Sequence, residues 1–374
     1  ANKAVIDNLR QFEGHGISSA QIRELIPEAD VVLGLGANGD ICEALDKALE
    51  GETVESFPNN ELMPLDGERV QSTLQHYAYL RVADGCDNCC TYCAIPLIRG
   101  HFRSRKMESI IDEAKRLVSN GVKEINVIAQ DTTRYGEDIY GALMLPTLLT
   151  ELCKIEGLEW IRILYCYPDR ITDELIDVIK NEDKIVKYLD LPLQHCNAQV
   201  LKKMNRKGDK DSLVALINKL RRQIPDITLR TTLIAGFPGE SDEQFEELSQ
   251  FVQDMKFERL GCFAYSQEED TPAAEFECQI DEEIKAHRAQ IITEQQAIIM
   301  ENLTQKHIGE TLDVLVDGYD RYAECYFGRS VLDAPEVDPC VFFTTDGKKP
   351  MLGDIVKVKI TDYLDCDLTG EMEA

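Results

Sequence analysis

Between residues 77 and 265, apolar runs of strand length alternate with segments whose apolar positions recur at helical spacing, the signature of a parallel α/β fold. The first run, Tyr77-Ala78-Tyr79-Leu80-Arg81-Val82, leads straight into a cysteine-rich loop. Met107, Ile110, Ile111, Ala114, Leu117 and Val118 then follow a 3.6-residue period, Gly121 ends that helix, and Ile125-Asn126-Val127-Ile128-Ala129 reads as the next strand. Further units predict a strand over 160–165 with a helix over 172–179, and a strand over 188–193 with a helix over 198–204. A strand over 228–234 precedes Ser241, which with Gln244 makes a capping box for a helix reaching Met255. A last strand is expected over 260–265. Six strands fall short of the eight of a closed barrel.

A long polar helix over 281–306 introduces a different texture. Short β-like runs over 312–316, 340–344 and 355–360 alternate with Gly, Asp and Pro turns, which predicts a small all-β barrel. Upstream of residue 71, a helix and strand over 22–35 and a helix over 40–49 suggest the end of another α/β unit. A chain of 374 residues has room for two or three domains. The expected fold class is α/β, divided into 1–71, 72–305 and 306–374.

Composition narrows the setting. A 44% hydrophobic content is that of a globular protein, and no apolar run approaches eighteen residues. Ala1-Asn2-Lys3-Ala4-Val5 lacks the regions of a signal peptide, so a cytoplasmic protein is expected. Thirteen cysteines, an odd number scattered through a large chain, argue against a disulfide framework and leave thiols for metal. The formal net charge of -28 repels phosphate backbones and favours a basic partner.

Cys86-x-x-x-Cys90-x-x-Cys93 places three thiols on one short loop after a strand, and thiolates are the usual protein ligands of iron–sulfur clusters. Three ligands leave one iron of a four-iron cube open to chelate the amino and carboxylate groups of S-adenosylmethionine (SAM). Cys86-x-x-Cys89 and Cys90-x-x-Cys93 each also match a zinc half-site. The two halves are adjacent, however, whereas a zinc ribbon separates them by about 15–20 residues, so the spacing favours the cluster and leaves Cys89 a spectator. Gln130-Asp131-Thr132-Thr133 and Gly236-Phe237-Pro238-Gly239-Glu240 each follow a strand. Their polar groups belong at the same mouth as the cysteines, or they are turn chemistry alone. His195 reads equally as a loop-positioning or a catalytic residue.

Asp84-Gly85-Cys86 through Cys93-Ala94-Ile95-Pro96-Leu97-Ile98-Arg99-Gly100, and then Arg103-Ser104-Arg105, resemble the core of the methylthiotransferases, a radical SAM family. Ala129-Gln130-Asp131-Thr132-Thr133-Arg134-Tyr135-Gly136, Leu191-Pro192-Leu193-Gln194-His195 and Tyr265-Ser266 look like further motifs of that family, and the C-terminal β segment resembles its TRAM domain. The resemblance implies an open, partial β/α barrel and a 4Fe–4S cluster on Cys86, Cys90 and Cys93. It also implies SAM contacts from Tyr92, Gln130, Gly236 and Glu240, and a reduced electron donor. Gly328-Arg329-Ser330, Asp333-Ala334-Pro335-Glu336-Val337-Asp338 and 358–368 are similar to the branch that methylthiolates an aspartate of ribosomal protein S-twelve, a basic protein; a sister branch modifies tRNA. Seven Lys/Arg against fifteen Asp/Glu over 306–374 oppose an RNA backbone. The β domain is expected to clamp the substrate, with Asp333, Glu336 and Asp338 steering it. Two departures stand out. Gln267 and Asp270 replace the Arg and Gly usual in one loop, and Cys42 is the lone cysteine before Cys86, where the family has a three-cysteine domain holding a second cluster. The expectation is a shortened form or one without sulfur insertion.

Overall fold

The structure is a computed structural model describing residues 24, 26–59, 63–67, 69–347 and 349–373; the start of the helix expected over 22–35 lies outside them. Strands β1 (Val31–Leu33) and β2 (Val54–Ser56) pair in parallel around a helix, Ile41–Leu49. Next come β3 (Tyr77–Arg81), the short antiparallel pair β4 (Ala83–Asp84) and β5 (Arg103–Ser104), β6 (Glu124–Ile128), β7 (Trp160–Ile163), β8 (Ile185–Asp190), β9 (Thr228–Ala235) and β10 (Arg259–Ala264). The six long strands form one all-parallel sheet in the order β10-β9-β8-β7-β6-β3. The sheet is open, as the six-strand count implied.

Alternation gives the sheet two different faces. Ala78 and Leu80, Ile125 and Val127, Ile161 and Ile163, and Leu229 and Leu233 join the main apolar core beneath the helices. Burying each Leu, Ile or Val side chain among them contributes about 1.5–3 kcal/mol. The intervening residues, among them Tyr79, Glu124, Arg162, Tyr188 and Arg230, face away from the helices, and many are polar. The helix Glu282–Thr304 reads as polar along its whole length. Two of its buried polar side chains are bonded to the sheet domain: Arg288 donates to Glu240 at 2.8 Å and Gln296 Nε2 to the Phe257 carbonyl at 2.8 Å.

Strands β11 (Thr311–Asp320), β12 (Cys325–Ser330), β13 (Val341–Thr344), β14 (Ile355–Leu364) and β15 (Asp367–Met372) close a barrel in the order β11-β12-β13-β15-β14. This barrel docks on the lower, N-terminal rows of the sheet's helix-free face. Leu315 and Ala334 pack in one apolar cluster with Trp160, Leu164, Val186 and Tyr188. Around that cluster lies a buried polar network. Arg329 reaches Glu124, which also accepts from Arg162 Nε at 2.9 Å, and Asp317 bonds His76 at 2.6 Å.

The docking corrects the expected roles of two acidic residues. Asp333 is paired with Arg259 at 2.5 Å and Asp338 accepts from Tyr188 at 2.6 Å, both side chains buried, so their charges are spent on an interdomain seam and fasten it. Glu336 accepts from Tyr77 at 3.1 Å but stays exposed. Two strand ends also differ from expectation. β7 stops at Ile163 because Tyr165 turns to φ +60. β8 stops before Pro192, which has no N–H for a ladder.

Candidate active site

The cysteine loop begins at a position that requires glycine. Gly85 has φ +74, and a Cβ there would lie 2.0 Å from the His101 carbonyl oxygen, far inside contact distance. The Cys86 amide donates to the Gly100 carbonyl at 3.1 Å and that of Cys93 to Cys90 at 3.0 Å. Beneath the loop, buried Asp131 accepts from Asn88 at 2.8 Å, Arg170 at 2.9 Å and Thr133 at 2.6 Å. Asp131 therefore anchors the loop.

Cys86, Cys90 and Cys93 line a pocket of about 460 Å³ at the C-terminal edge of the sheet, with Tyr92, Gln130, Tyr165, Asp190 and Arg206. Among the described residues, no three His, Cys, Asp or Glu side chains converge on a single ion-sized point. The three thiols instead share one rim, as ligands of three different irons in a cube do. Burial pushes the Cys86 thiol up to about 11 and raises that of Cys93, so loading a metal there must displace protons.

Gln130 presents a buried Oε1 with no hydrogen-bond partner, an orphan that a polar ligand in the pocket would satisfy. Arg206 is also buried and has no carboxylate partner among the described residues. Its guanidinium stacks 4.2 Å from the Tyr167 ring centre, lies 3.8 Å from Cys90 Sγ and donates to the Pro192 carbonyl at 2.6 Å. An unpaired buried cation beside three thiols suits a cluster that carries net negative charge when ligated by thiolates. The donor set and the orphaned amide fit a cluster and SAM. Tyr165 and Gln194, both at positive φ, line the same pocket, and strained backbone of this kind gathers at functional sites.

Of the expected cofactor contacts, Tyr92 and Gln130 line this pocket, whereas Gly236 and Glu240 lie outside its lining. A Cβ on Gly236 would sit 2.3 Å from Lys285 Cγ, so the glycine serves close packing against the helix. Glu240 accepts from Arg288 at 2.8 Å and from the Gly236 amide at 3.0 Å, and lies 3.5 Å from His195 Nε2. His195 Nδ1 accepts from the Asn197 amide at 2.9 Å, so Nε2 carries a proton, and it makes no hydrogen bond among the described residues. The bonds from Arg288 and Gly236 to Glu240 are what tie these loops. Sequence reasoning placed Asp131 at this mouth within the Gln130–Thr133 motif but missed Arg170 and Arg206, whose partners Asn88, Asp131, Cys90 and Pro192 come from loops distant in sequence.

A parallel sheet with a three-thiol loop at its C-terminal edge is the architecture of a radical SAM enzyme. The Radical SAM superfamily model matches residues 80–252 and the TRAM domain model matches 308–372. The structures of the radical S-adenosylmethionine methyltransferase TsrM from Kitasatospora setae share the fold, with TM-scores of 0.50 and 0.51. They are 15% and 13% identical, and cover 66% and 80% of this chain and 59% and 64% of theirs. The chain is 46% identical to the ribosomal protein uS12 methylthiotransferase RimO of Clostridium tetani, over 94% of its own length and 78% of that relative. It is 48% identical to the RimO of Lachnoclostridium phytofermentans, over 93% and 79%. The chain belongs to the RimO methylthiotransferase family. Among the described residues no helix is long and apolar enough to cross a membrane.

Proposed function

We propose that this protein methylthiolates an aspartate side chain of ribosomal protein uS12, with Cys86, Cys90 and Cys93 holding one 4Fe–4S cluster and with Tyr92 and Gln130 contacting SAM. The observation that carries the reading is the pocket rimmed by the three cysteines, with the unpartnered Gln130 Oε1 beside them. A cluster held by these three thiols would supply, when reduced, the electron for SAM cleavage and so the means to take hydrogen from an unactivated carbon. The chain's own work is positional. Gly85 and Asp131 fix the cysteine loop, Gln130 and Tyr92 orient the ligand, Arg206 offsets negative charge, and the apolar walls exclude water. Glu240, Gly236 and His195 support the neighbouring loops.

The test is anaerobic reconstitution followed by incubation with reductant, SAM, added sulfide as the sulfur source, and either purified uS12 or bulk tRNA. Iron of about four atoms per chain, lost in Cys90→Ala, and a methylthio group on the uS12 aspartate are expected. Modification of tRNA instead, or retention of full iron by Cys90→Ala, would overturn the reading. An acidic β barrel, with seven Lys/Arg against fifteen Asp/Glu, favours the basic protein over RNA.

A further inference from the structure

On a chain of net charge -28 one short stretch carries the opposite sign. Lys202, Lys203, Lys207 and Lys210 fall within nine residues, against the single acid Asp209; Arg206 in the same stretch is buried and turned into the cysteine pocket. Asp209 is already engaged as a helix cap, accepting from the Ser212 amide at 2.8 Å. The stretch lies directly against the outside of the cysteine loop. The Thr91 amide donates to the Met204 carbonyl at 3.1 Å and its hydroxyl to the Lys203 carbonyl at 2.8 Å. Asn205 Nδ2 bonds the carbonyls of Asn88 at 3.1 Å and Cys89 at 2.9 Å. Lys202, Lys203 and Lys207 are exposed, as is Cys89, the residue before the ligand Cys90. A shallow pocket between this stretch and Asp169 and Arg170 opens to the surface. Asp87 and Asp169 line it too; Asp87 is paired with Arg134 at 3.3 Å, and Asp169 with Arg170 at 3.7 Å and Lys207 at 3.6 Å, so Lys207 is partly neutralised and Lys202 and Lys203 carry most of the patch's charge.

We infer that this patch is the docking surface for an acidic, low-potential one-electron carrier protein. The inference rests on the cluster assignment proposed above. A basic substrate would be repelled by it, so the patch has the wrong sign for the target protein. An RNA strand would gain a few cations but then run onto a strongly acidic surface, whereas a compact acidic protein needs only a local patch. Docking here sets the carrier against the backbone of the loop that bears the ligands. One electron then leaves the carrier's reduced flavin or iron–sulfur centre and enters the oxidised cluster. The carrier is oxidised by one and the cluster reduced by one, and no bond is made or broken.

The experiment uses cluster-loaded protein with iron quantified beforehand. Stopped-flow bleaching of the oxidised cluster is followed after mixing with a reduced acidic flavoprotein or with photoreduced deazaflavin, a small reductant with no docking surface. In Lys202→Glu/Lys207→Glu, the flavoprotein rate constant should fall at least tenfold at low salt, since steering raises on-rates by roughly 10–10³. The wild-type advantage should vanish near 1 M salt, where the Debye length is about 3 Å. The deazaflavin rate should be unchanged, and Lys202→Gln/Lys207→Gln should give a smaller loss. Equal flavoprotein rates in wild type and variant would overturn the inference, and so would a variant that loses RNA binding while keeping the flavoprotein rate. A wild-type protein that takes up no iron would instead overturn the cluster assignment, and the docking surface with it.

Discussion

Glu124→Ala should undock the β barrel. Glu124 is fully buried on β6 and is the carboxylate shared by two buried guanidinium groups, Arg162 of the sheet and Arg329 of the barrel. Arg329 retains Asp317 through its Nε at 2.8 Å, but Arg162 keeps only the carbonyls of Val331 and Ser330 at 3.0 and 3.4 Å. Removing one partner of a buried pair costs about 3–5 kcal/mol, a large share of a typical stability of about 5–15 kcal/mol. Glu124→Gln keeps the shape and loses the charge, so about 1–3 kcal/mol is expected. The chain's single tryptophan, Trp160, sits in the apolar cluster shared by sheet and barrel, so its fluorescence reports the seam itself. In urea, the Trp160 transition of Glu124→Ala should move to lower concentration and precede loss of helical circular dichroism. A Trp160 midpoint within about 0.5 kcal/mol of wild type would refute the argument that this network fastens the domains.

Three further outcomes follow from the geometry. Gly85→Ala should fold, because the clash is confined to the cysteine loop, but should bind much less iron on reconstitution; full iron content would show that the loop tolerates a Cβ 2.0 Å from His101 O. Gln130→Ala should weaken SAM binding by roughly tenfold, the equivalent of one hydrogen bond of about 1–1.5 kcal/mol, and unchanged affinity by calorimetry would remove Gln130 from the site. Burial pushes Asp317 upward, but its bonds to His76 and Arg329 prevail and hold its carboxyl below the usual value. Its folded pKa thus lies below the unfolded one, so its contribution is complete above about pH 3.9 and fades as pH falls through the depressed value. The Trp160 midpoint should show that acid limb in wild type and lose it in Asp317→Asn.

The sheet was legible because each strand carries its own apolar run and each run is followed by a helix, as with Ser241 and Gln244, whose capping box forms as read. The helix Lys210–Gln223 escaped notice although Leu213, Ile217 and Leu220 mark one face and Asp209 with Ser212 caps it; its charged residues masked the period. Strands β12 and β15 were missed for a different reason. Gly328 and Gly370 interrupt their alternation, and both are places where a neighbouring backbone comes too close for a side chain, 2.1 Å from Leu315 O and 2.3 Å from Lys359 O. The three cysteines were visible because their spacing is local. The fastening loop was not, since Asp333 and Asp338 look like solvated acids until Arg259 and Tyr188 arrive from distant strands.

The pocket rimmed by the three cysteines is lined by residues between Arg81 and Thr232 and by none from the barrel. The barrel meets the same sheet further down, through Glu124, Tyr188 and Arg259. Pocket and barrel therefore share a sheet but not a cavity wall, and whatever the barrel does to the pocket it does by holding those strands still. Loosening the seam should blur the spacing of the thiol rim without opening a new path to it.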